Sequence, residues 1–487
     1  MTSSLPLPYS TPESEGVSSA ALSVLIDSLD KLKYMHGVTV FRHGKVILQA
    51  SWKPYSPGGP HHLFSLSKSF VSCAAGFAIS EGLLGFDTTL GELFPEETGA
   101  PGVPASVGAT TIRNLLTMRG VHGACAMMGS IFKGDHKALL EGYMRFPAEF
   151  RPGEAFTYDS GNTYMLSAAL QKVTGMDLVA YLQPRLFDPL GIKTPFWQQD
   201  YNGVRLGGWG LFLSLEDISR FTKLISEGGV WEGRQLLPRE YIEAATSFQS
   251  ENAHNKTRDW SNGYGYQFWM CSHDGAFRGD GACGQFAIVI PDYDIAIATE
   301  AGLPEMGNIM ADIWDKFLPL VDKEGKALVP DRAAQHALAA RLSDLELPRP
   351  MGAFASDQEG GVFKLAPNRE GFEKLGLEFQ ASGGKLTLVK GGECFDLPFA
   401  YNGWAFGHAG KLYGRDRATL GGDTAISAAW ESPNVLLLNM AFINEPTFSR
   451  LRIEFQGRTT IRVQREFHLW FLYGGDDMKA DILGHRE

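Results

Sequence analysis

The amino-acid sequence predicts an α+β domain, in which an antiparallel sheet flanked by helices carries a helical lobe, followed by a small all-β barrel or sandwich domain. Strand-like patterns lie at both ends of residues 1–322, and helical patterns fill the middle. Residues 351–487 instead show short strand-like runs separated by Gly, Asn and Asp turns. At 487 residues, the chain is also longer than one core usually organises. We therefore expect two domains with different architectures.

The first elements are predicted to be a helix and a hairpin. Apolar residues recur at helical spacing over 20–33. Two β-branched runs, 38–41 and 46–50, then flank a glycine turn at 42–45, which predicts a β-hairpin. An apolar helix follows, and the predicted lobe consists of helices at 112–118, 137–146, 164–174, 178–186 and 215–227, the last capped by Ser214.

Strands return towards the end of the first domain. A strand is predicted at 265–270, and 285–290 and 294–299 form a second hairpin around Pro291, before a closing helix at 305–318. Because strands from both ends of the domain need partners, we expect them to form one sheet. The cleft between this sheet and the helical lobe is where a functional site is expected.

The predicted boundaries are 1–322 for the first domain, 323–350 for a linker and 351–487 for the β-rich domain. The linker is rich in Asp, Lys, Ala and Pro and contains a short helix at 333–342. In the β-rich domain, strands are predicted at 362–365, 375–379, 386–389, 424–430, 435–442 and 451–455.

Composition restricts the classes of partner. The net charge of -11 provides no basic face for phosphates, so neither nucleic acid nor an anionic membrane is expected to bind, and a small-molecule substrate is favoured. The N-terminus lacks the basic start and apolar run of a signal peptide, which predicts a cytoplasmic protein. The five cysteines show no C-x-x-C spacing, so we expect no metal, and no motif indicates a cofactor. Self-association into a homo-oligomer is left open.

One motif that carries chemistry is Ser65-x-x-Lys68. On a helix, this spacing places both side chains on one face, with the ammonium near the serine oxygen, so the lysine can activate the serine as a nucleophile. The pattern S-x-x-K also begins at Ser28, Ser130 and Ser382, so spacing alone does not identify the site. Only Ser65 opens a strongly apolar helix that a core can hold rigid, and its position near a helix N-terminus favours developing negative charge.

A third proton-handling group is expected from the helical lobe. Tyr158 is the one tyrosine of fifteen that is followed two residues later by Ser or Asn, here Ser160. It follows a Pro-Gly turn and precedes a predicted helix, where functional residues tend to lie. The run Gly207–Gly210 is predicted to let backbone approach the cleft. His61 and His62 also precede Ser65, but no G-x-S-x-G elbow accompanies them, so a triad is disfavoured.

Taken together, the segments 62–70, 112–118, 152–161, 187–192 and 279–285 resemble the serine hydrolases of the class C β-lactamase and penicillin-binding-protein group, including family VIII esterases and aminohexanoate-dimer hydrolases. The resemblance covers about 12–302 and implies a β-lactamase-like sandwich. It implies that Ser65 attacks an acyl carbon, Lys68 lowers the proton affinity of Ser65, and Tyr158 exchanges protons with nucleophile and leaving group. Which of Lys68 and Tyr158 accepts the first proton is left open.

The family's K-T-G box is absent from this sequence. The resemblance places Gly279-Asp280-Gly281 at the box and makes the backbone N–H of Ala282 the second oxyanion donor beside that of Ser65. A second register uses His273-Asp274-Gly275 instead. Without the box lysine, the expected anchor for a substrate carboxylate is missing, although Arg278 can partly replace it unless its side chain points away from the cleft.

The sequence therefore predicts a cofactor-independent serine hydrolase that forms a Ser65 acyl-enzyme on a small ester or amide, most like a carboxylesterase, and that prefers neutral acyl groups. One alternative with the same chemistry is a D-amino-acid peptidase or a β-lactamase. Another alternative is a binding or assembly protein that keeps the fold without turnover, which the intact Ser65, Lys68 and Tyr158 disfavour.

Overall fold

The computed structural model describes residues 6–129, 136–352, 355–410, 412, 422–469 and 480–487. The S-x-x-K match at Ser130 lies outside these residues. The chain forms two compact units: the first consists of Met1–Ser51 and Ser56–Leu345, and the second of Trp52–Tyr55 and Glu346–Glu487.

The first unit contains a six-stranded antiparallel sheet built from both ends of its sequence, in the order β2-β1-β11-β10-β9-β8. Its central strands are buried along their whole length, which explains their nearly continuous apolar runs. Three further short strands form a small separate sheet, and two form a hairpin. The strands are β1 Met35–Arg42, β2 Lys45–Ser51, β3 His61–His62, β4 Phe196–Trp197, β5 Leu211–Leu213, β6 Val230–Trp231, β7 Arg234–Gln235, β8 Trp269–Met270, β9 Phe277–Gly281, β10 Gln285–Ile290 and β11 Ile295–Ala301.

Helices cover the sheet and form the lobe, so the predicted α+β sandwich is confirmed. The capping expected at Ser214 is present, since its side chain accepts a hydrogen bond from the backbone of Asp217. The helices of the described residues are Ser19–Lys31, Ser67–Ser80, Leu90–Leu93, Pro95–Thr98, Ala105–Gly108, Ile112–Leu116, Leu139–Arg145, Ser160–Thr174, Leu178–Leu182, Asp188–Leu190, Leu215–Ser226, Arg239–Ala245, Gly307–Asp312 and Arg332–Ser343.

The predicted strand at 265–270 is wrong over most of its length, because only Trp269–Met270 pairs in the sheet. Gln267 has φ +66°, which interrupts an extended chain. The backbone N–H groups of Tyr266 and Gln267 donate to Ala245 and Leu116, which lie in helical parts of the unit. The aromatic residues of this segment are therefore buried in the core, although most of the segment forms no strand.

The second unit is a β-barrel, which settles the choice between barrel and sandwich. Among the described residues, strands β12 to β15 and β17 to β21 follow one another through antiparallel pairs, and a parallel pairing of β15 with β17 closes the ring. The side chains that point inwards form a separate hydrophobic core. The strands are β12 Gly361–Leu365, β13 Phe372–Gln380, β14 Gly383–Lys390, β15 Glu393–Ala400, β16 Ala405–His408, β17 Asp423–Ser432, β18 Val435–Phe442, β19 Phe448–Gln456, β20 Thr460–Phe467 and β21 Ala480–Arg486.

The segment 323–350 differs from the predicted linker. Its helix, Arg332–Ser343, belongs to the first unit, where Arg341 forms ion pairs of 2.9 Å with Asp27 and 2.5 Å with Asp30. The division between the units therefore falls after Leu345. The composition of the segment did not reveal these contacts, because ion pairs between distant parts of a sequence leave no periodic signal.

No helix of the described residues combines the length and the apolar character needed to cross a membrane.

Candidate active site

Ser65 lies in a tight turn directly before the N-terminus of an apolar helix. The turn is a 3₁₀ segment, Phe64–Leu66, and the α-helix Ser67–Ser80 begins directly after it. The prediction placed Ser65 in the first turn of the α-helix, so the structure shifts the helix start by two residues. Phe64 adopts φ +47°, a left-handed conformation that costs an aromatic residue energy and is typical of functional sites.

Packing holds this turn in place. The ring of Phe64 stacks on that of His62 at 4.0 Å between centroids, and His62 stacks in turn on Phe212 at 4.5 Å. The hydroxyl of Ser67 donates to the carbonyl of Phe64 at 2.6 Å. His61 contacts a second histidine, His36, through their ring nitrogens at 3.0 Å. The two histidines before Ser65 therefore contribute to the packing beside the turn.

Lys68 is the central group of the site. Its ammonium nitrogen Nζ donates to Ser65 Oγ at 3.0 Å, to Ser160 Oγ at 3.0 Å and to the carbonyl oxygen of Gly208 at 2.6 Å. Only 1% of the residue is exposed. Burial lowers the pKa of Lys68 to about 8, even though the charges of Asp159 and Asp280 act in the opposite direction. A substantial fraction of this lysine is therefore neutral near physiological pH.

The contact with Gly208 depends on the absence of a side chain there. A Cβ atom on Gly208 would lie 2.8 Å from the carbonyl oxygen of Ser160. Gly207, just before it, has φ +64°, which favours glycine. The glycine-rich run thus brings its backbone against the helix that starts at Ser160, as its composition predicts.

Tyr158 lies on the other side of Ser65. Its side chain lies beside Ser65, and its ring centroid is 4.9 Å from Lys68 Nζ. Trp269 packs against the tyrosine ring at 5.1 Å. Burial, and next the charge of Asp280, raise the pKa of Tyr158 well above its ordinary value, so the phenol stays protonated. The structure therefore brings Ser65, Lys68 and Tyr158 together.

Asp159 fixes the segment that carries Tyr158 and Ser160. Its carboxylate accepts hydrogen bonds from the backbone N–H groups of Gly161 at 2.7 Å and Ala126 at 3.0 Å, and from Nδ1–H of His122 at 2.9 Å. Asp159 and His122 are both buried. Sequence reasoning missed this pair. The signal for Asp159 was its type and place, because Asp is a favoured residue before a helix, but nothing in the sequence pointed to His122.

Strand β9 lies against the Ser65 turn. A Cβ atom on Gly281 would lie 2.1 Å from the carbonyl oxygen of Leu63, and one on Gly279 would lie 2.5 Å from Leu66 Cδ1. The register that places 279–281 at the box is therefore the one that reaches the site. A side chain at position 279 would displace the side chains of Leu66 and Ser69. Ala282, which follows directly, is half-buried.

The alternative register, 273–275, is wrong. These residues precede β9, in the turn that connects the pair Met270 and Phe277, at the far end of the strand from Gly281. His273 forms an ion pair with Asp292 at 3.1 Å and stacks on Trp314. The segment 273–275 therefore resembles the box in sequence only, because it does not lie beside the Ser65 turn.

Arg278 is buried and already paired. Its Nε and Nη2 both lie 2.8 Å from Asp280 Oδ2, and Nη1 donates to Cys271 Sγ at 3.5 Å. Arg278 and Asp280 are 0% and 6% exposed. The nearby carboxylate raises the pKa of Arg278. The guanidinium, which the sequence left as a partial replacement for the box lysine, is therefore occupied by a carboxylate of the protein.

Among the described residues, no group of three or more His, Cys, Asp and Glu side chains is arranged to hold a metal ion. The five cysteines are free thiols.

Comparison with known proteins agrees with this geometry. The family model described as Beta-lactamase matches residues 31–300. The 6-aminohexanoate-dimer hydrolase of Paenarthrobacter ureafaciens is 23% identical over 288 residues, which cover 55% of this chain and 72% of the relative. The lovastatin esterase of Penicillium rubens is 25% identical over 168 residues, covering 30% of this chain and 42% of the relative.

Among solved structures, the octameric penicillin-binding protein homologue from Pyrococcus abyssi is similar over 96% of this chain and 99% of its own, with a TM-score of 0.51 and 14% identity. At this identity, the similarity shows the fold alone. It extends over both units. The family model covers more than half of the sequence and includes the Ser65 turn, the Tyr158 segment and strand β9. The chain belongs to the Beta-lactamase family.

Proposed function

We propose that this protein is a serine hydrolase that cleaves a small, neutral ester or amide through an acyl-enzyme on Ser65, with a carboxylesterase-like preference. The observation that carries the proposal is the placement of Ser65 Oγ 3.0 Å from Lys68 Nζ, with the side chain of Tyr158 beside the same serine and its ring centroid 4.9 Å from that nitrogen. A serine with a base on one side and a proton donor on the other is an activated nucleophile.

Lys68 is the group that accepts the first proton in this proposal. With a pKa of about 8, it is partly neutral near physiological pH, whereas Tyr158 is held protonated. The carbonyl of Gly208 can only accept a hydrogen bond, so a neutral Lys68 must direct one N–H there. Its lone pair is then available to the hydroxyl proton of Ser65 as the serine oxygen attacks the acyl carbon.

Tyr158 supplies the proton for the leaving group. When the tetrahedral intermediate collapses, the bond from the acyl carbon to the alcohol oxygen or amine nitrogen breaks, and that atom takes the phenolic proton. The protonated Lys68 lies 4.9 Å from the centre of the tyrosine ring, so its charge stabilises the phenolate until a proton returns. Water then releases the acyl group by the same steps in reverse.

The backbone N–H groups of Ser65 and Ala282 are proposed to bind the oxyanion. Ser65 lies where a helix begins, so its N–H has no intrahelical acceptor. Ala282 follows Gly281, whose Cα approaches the Leu63–Leu66 turn so closely that a side chain cannot fit. Donors fixed in this way stabilise the negative charge that develops in the transition state.

The preference for a neutral ester or amide rests on the box strand. Gly279 supplies no cation, and Arg278 is paired with Asp280. By their names, the relatives in Paenarthrobacter ureafaciens and Penicillium rubens include one hydrolase and one esterase. A D-amino-acid peptidase or β-lactamase would need a carboxylate anchor. Turnover of a short-chain nitrophenyl ester, compared with turnover of a chromogenic cephalosporin, separates the two functions.

Labelling with a fluorophosphonate tests the nucleophile directly. Intact-mass analysis of the full-length protein is expected to show one adduct, which disappears in Ser65→Ala. Ser80→Ala, at the exposed end of the same helix, is the matched control and is expected to label like the natural protein. An adduct that survives Ser65→Ala would overturn the assignment, and the absence of any adduct in the natural protein would favour a binding or assembly function.

We also propose that the chain forms a homo-oligomer, supported by the octameric assembly of the Pyrococcus abyssi homologue. Light scattering after size-exclusion chromatography measures the mass directly. A multiple of 53.3 kDa is expected, and a monomer mass at micromolar concentration would refute the proposal.

A further inference from the structure

The pair Arg278–Asp280 occupies the strand that the proposed function assigns to substrate recognition. Along β9, Gly279 and Gly281 face the Ser65 turn. Arg278 and Asp280 alternate with these glycines and therefore share the opposite face of the strand. On that face, the two side chains meet through contacts of 2.8 Å. The middle position of the box thus carries a carboxylate that points at a guanidinium.

The pair is connected to the catalytic groups by aromatic side chains. Trp260 lies beside Asp280, and the guanidinium carbon of Arg278 lies 4.7 Å from the centre of the Trp260 ring. The same carbon is 5.8 Å from Trp269, which packs on Tyr158. The rings of Trp260 and Trp269 therefore connect the Arg278–Asp280 pair to the tyrosine beside Ser65.

Physical chemistry limits what this pair can do. A buried guanidinium requires a carboxylate or an equivalent anion, because an unpaired charge in the interior costs several kcal/mol. Arg278 donates from Nε to Asp280 Oδ2 and from Nη1 to Cys271 Sγ, and Nη2 lies 2.8 Å from the same Asp280 oxygen without forming a hydrogen bond. A substrate carboxylate that approached Arg278 would have to replace Asp280, and it would meet the negative charge of Asp280 on the way.

We propose that Asp280 determines substrate selectivity: it acts as an internal carboxylate that neutralises the charge of Arg278, and it thereby excludes acyl groups that carry their own carboxylate near the scissile bond. The inference rests on the proposed Ser65 acyl-enzyme and adds to it the residue that selects neutral substrates. It assigns to Arg278 a latent capacity for anions that the natural protein keeps occupied.

The test uses two nitrophenyl esters of similar length, nitrophenyl butyrate, which is neutral, and the mono-nitrophenyl ester of glutaric acid, which carries a carboxylate. The measured quantity is the ratio of kcat/KM for the anionic ester to that for the neutral ester. Asp280→Ser removes the carboxylate and leaves room for one. The double variant Arg278→Gln/Asp280→Ser is the matched control, because it has the same space without the cation.

The natural protein is expected to favour the neutral ester. Asp280→Ser is expected to raise the ratio by about 10- to 100-fold, the value of one charge-assisted hydrogen bond. The double variant is expected to return the ratio close to that of the natural protein. An unchanged ratio in Asp280→Ser, or a gain that persists in the double variant, would overturn the inference, as would equal use of both esters by the natural protein.

A measurement of stability covers the case in which Asp280→Ser folds poorly or turns over neither ester. Sodium formate, compared with sodium chloride at equal ionic strength, is expected to raise the Tm of Asp280→Ser, because formate replaces the missing carboxylate. It is expected to leave the natural protein and the double variant unchanged. If formate stabilises Asp280→Ser no more than it stabilises the double variant, Arg278 does not accept an external carboxylate and the inference fails. Failure of the proposed function appears separately, as a natural protein without a Ser65 adduct.

Discussion

At the scale of single residues, the site is organised by a lysine that burial makes partly neutral. Lys68 has three acceptors, Ser65, Ser160 and the carbonyl of Gly208, which hold its nitrogen in one place. Desolvation lowers its pKa from 10.5 to about 8. The same burial raises the pKa of Tyr158. One environment thus moves the pKa values of the two groups in opposite directions, as the proposed roles of base and acid require.

The pH dependence of turnover follows from the lowered pKa. Below pH 8, Lys68 is mostly protonated and cannot accept the proton of Ser65, so kcat/KM for a neutral ester is expected to rise about tenfold per pH unit and to level off above pH 8. In Lys68→Arg the guanidinium stays protonated, so this variant is expected to lose both the activity and the rise of kcat/KM with pH. Lys172→Ala, an exposed lysine of the lobe, is the control. A natural profile that is flat from pH 6 to 9 would contradict the role of Lys68.

Lys68 and Tyr158 are expected to act as one unit. Each of Lys68→Ala and Tyr158→Phe should lower kcat by roughly 10²- to 10⁴-fold, because each interrupts proton transfer at Ser65. The double variant should lose little more, since groups that act together are not additive. Steady-state kinetics of the four proteins measures this. Multiplicative losses in the double variant would show two independent roles.

The sequence predicted site residues that lie close together in the chain or within a short motif. It missed pairs that come into contact only when the chain folds. Ser65 and Lys68 are three positions apart, so helical geometry alone brings them together, and Tyr158 was found by its own short motif. The pairing of His122 with Asp159 joins two segments that only the folded chain brings into contact. Likewise, the pairing of Arg278 with Asp280 was not predicted, because strand geometry places the two residues on one face without indicating what that face contacts.

At the scale of elements, strand β9 approaches the Ser65 turn closely and helps to set the position of Ser65. Gly281 allows a backbone contact that a side chain would prevent. The sequence predicted the strand pair β10 and β11 correctly, because two short apolar runs around a Pro-Asp turn are a strong signal. It failed at 265–270, where aromatic residues suggested a strand. There, tertiary hydrogen bonds and the left-handed Gln267 overrode strand propensity.

A methyl group on Gly281 is expected to push this strand away from the turn. Its Cβ would lie 2.1 Å from the carbonyl oxygen of Leu63, so Gly281→Ala should destabilise the fold by about 1–3 kcal/mol and lower kcat. Gly142→Ala is the control: its Cβ has open space, and alanine in a helix should stabilise by about 0.5–1 kcal/mol. Chemical denaturation measures both. Equal stability of Gly281→Ala and the natural protein would show that the contact is not rigid.

At the scale of the whole molecule, the chain builds two hydrophobic cores of different kinds. The first joins the sheet to the lobe and surrounds the site, whereas the second fills the barrel. The change in spacing of strand-like runs after 350 predicted the second architecture. It did not predict the boundary, because the helix Arg332–Ser343 is held in the first unit by the ion pairs of Arg341.

A cavity in either hydrophobic core is expected to destabilise only the unit that contains it. Leu438→Ala in the barrel should cost about 2–5 kcal/mol and accelerate hydrogen exchange in strands β17 to β19. Leu224→Ala, in the helix Leu215–Ser226, is the matched substitution in the first core. It should accelerate exchange in that helix and in β11. Exchange followed peptide by peptide by mass spectrometry measures both, and a uniform change across all peptides in either variant would contradict the expectation.

The carbonyl oxygen of Gly208 is a hydrogen-bond acceptor for Lys68 that amino-acid substitutions do not easily remove. A side-chain acceptor such as Ser160 disappears with a single nucleotide change, whereas a main-chain oxygen persists through almost any substitution that keeps the backbone path. Substitution of Gly208 itself is the change that would disturb this contact, because a Cβ atom there would lie 2.8 Å from the carbonyl oxygen of Ser160. In a library of variants selected for activity on a new substrate, we therefore expect several amino acids at position 160 and only glycine at position 208.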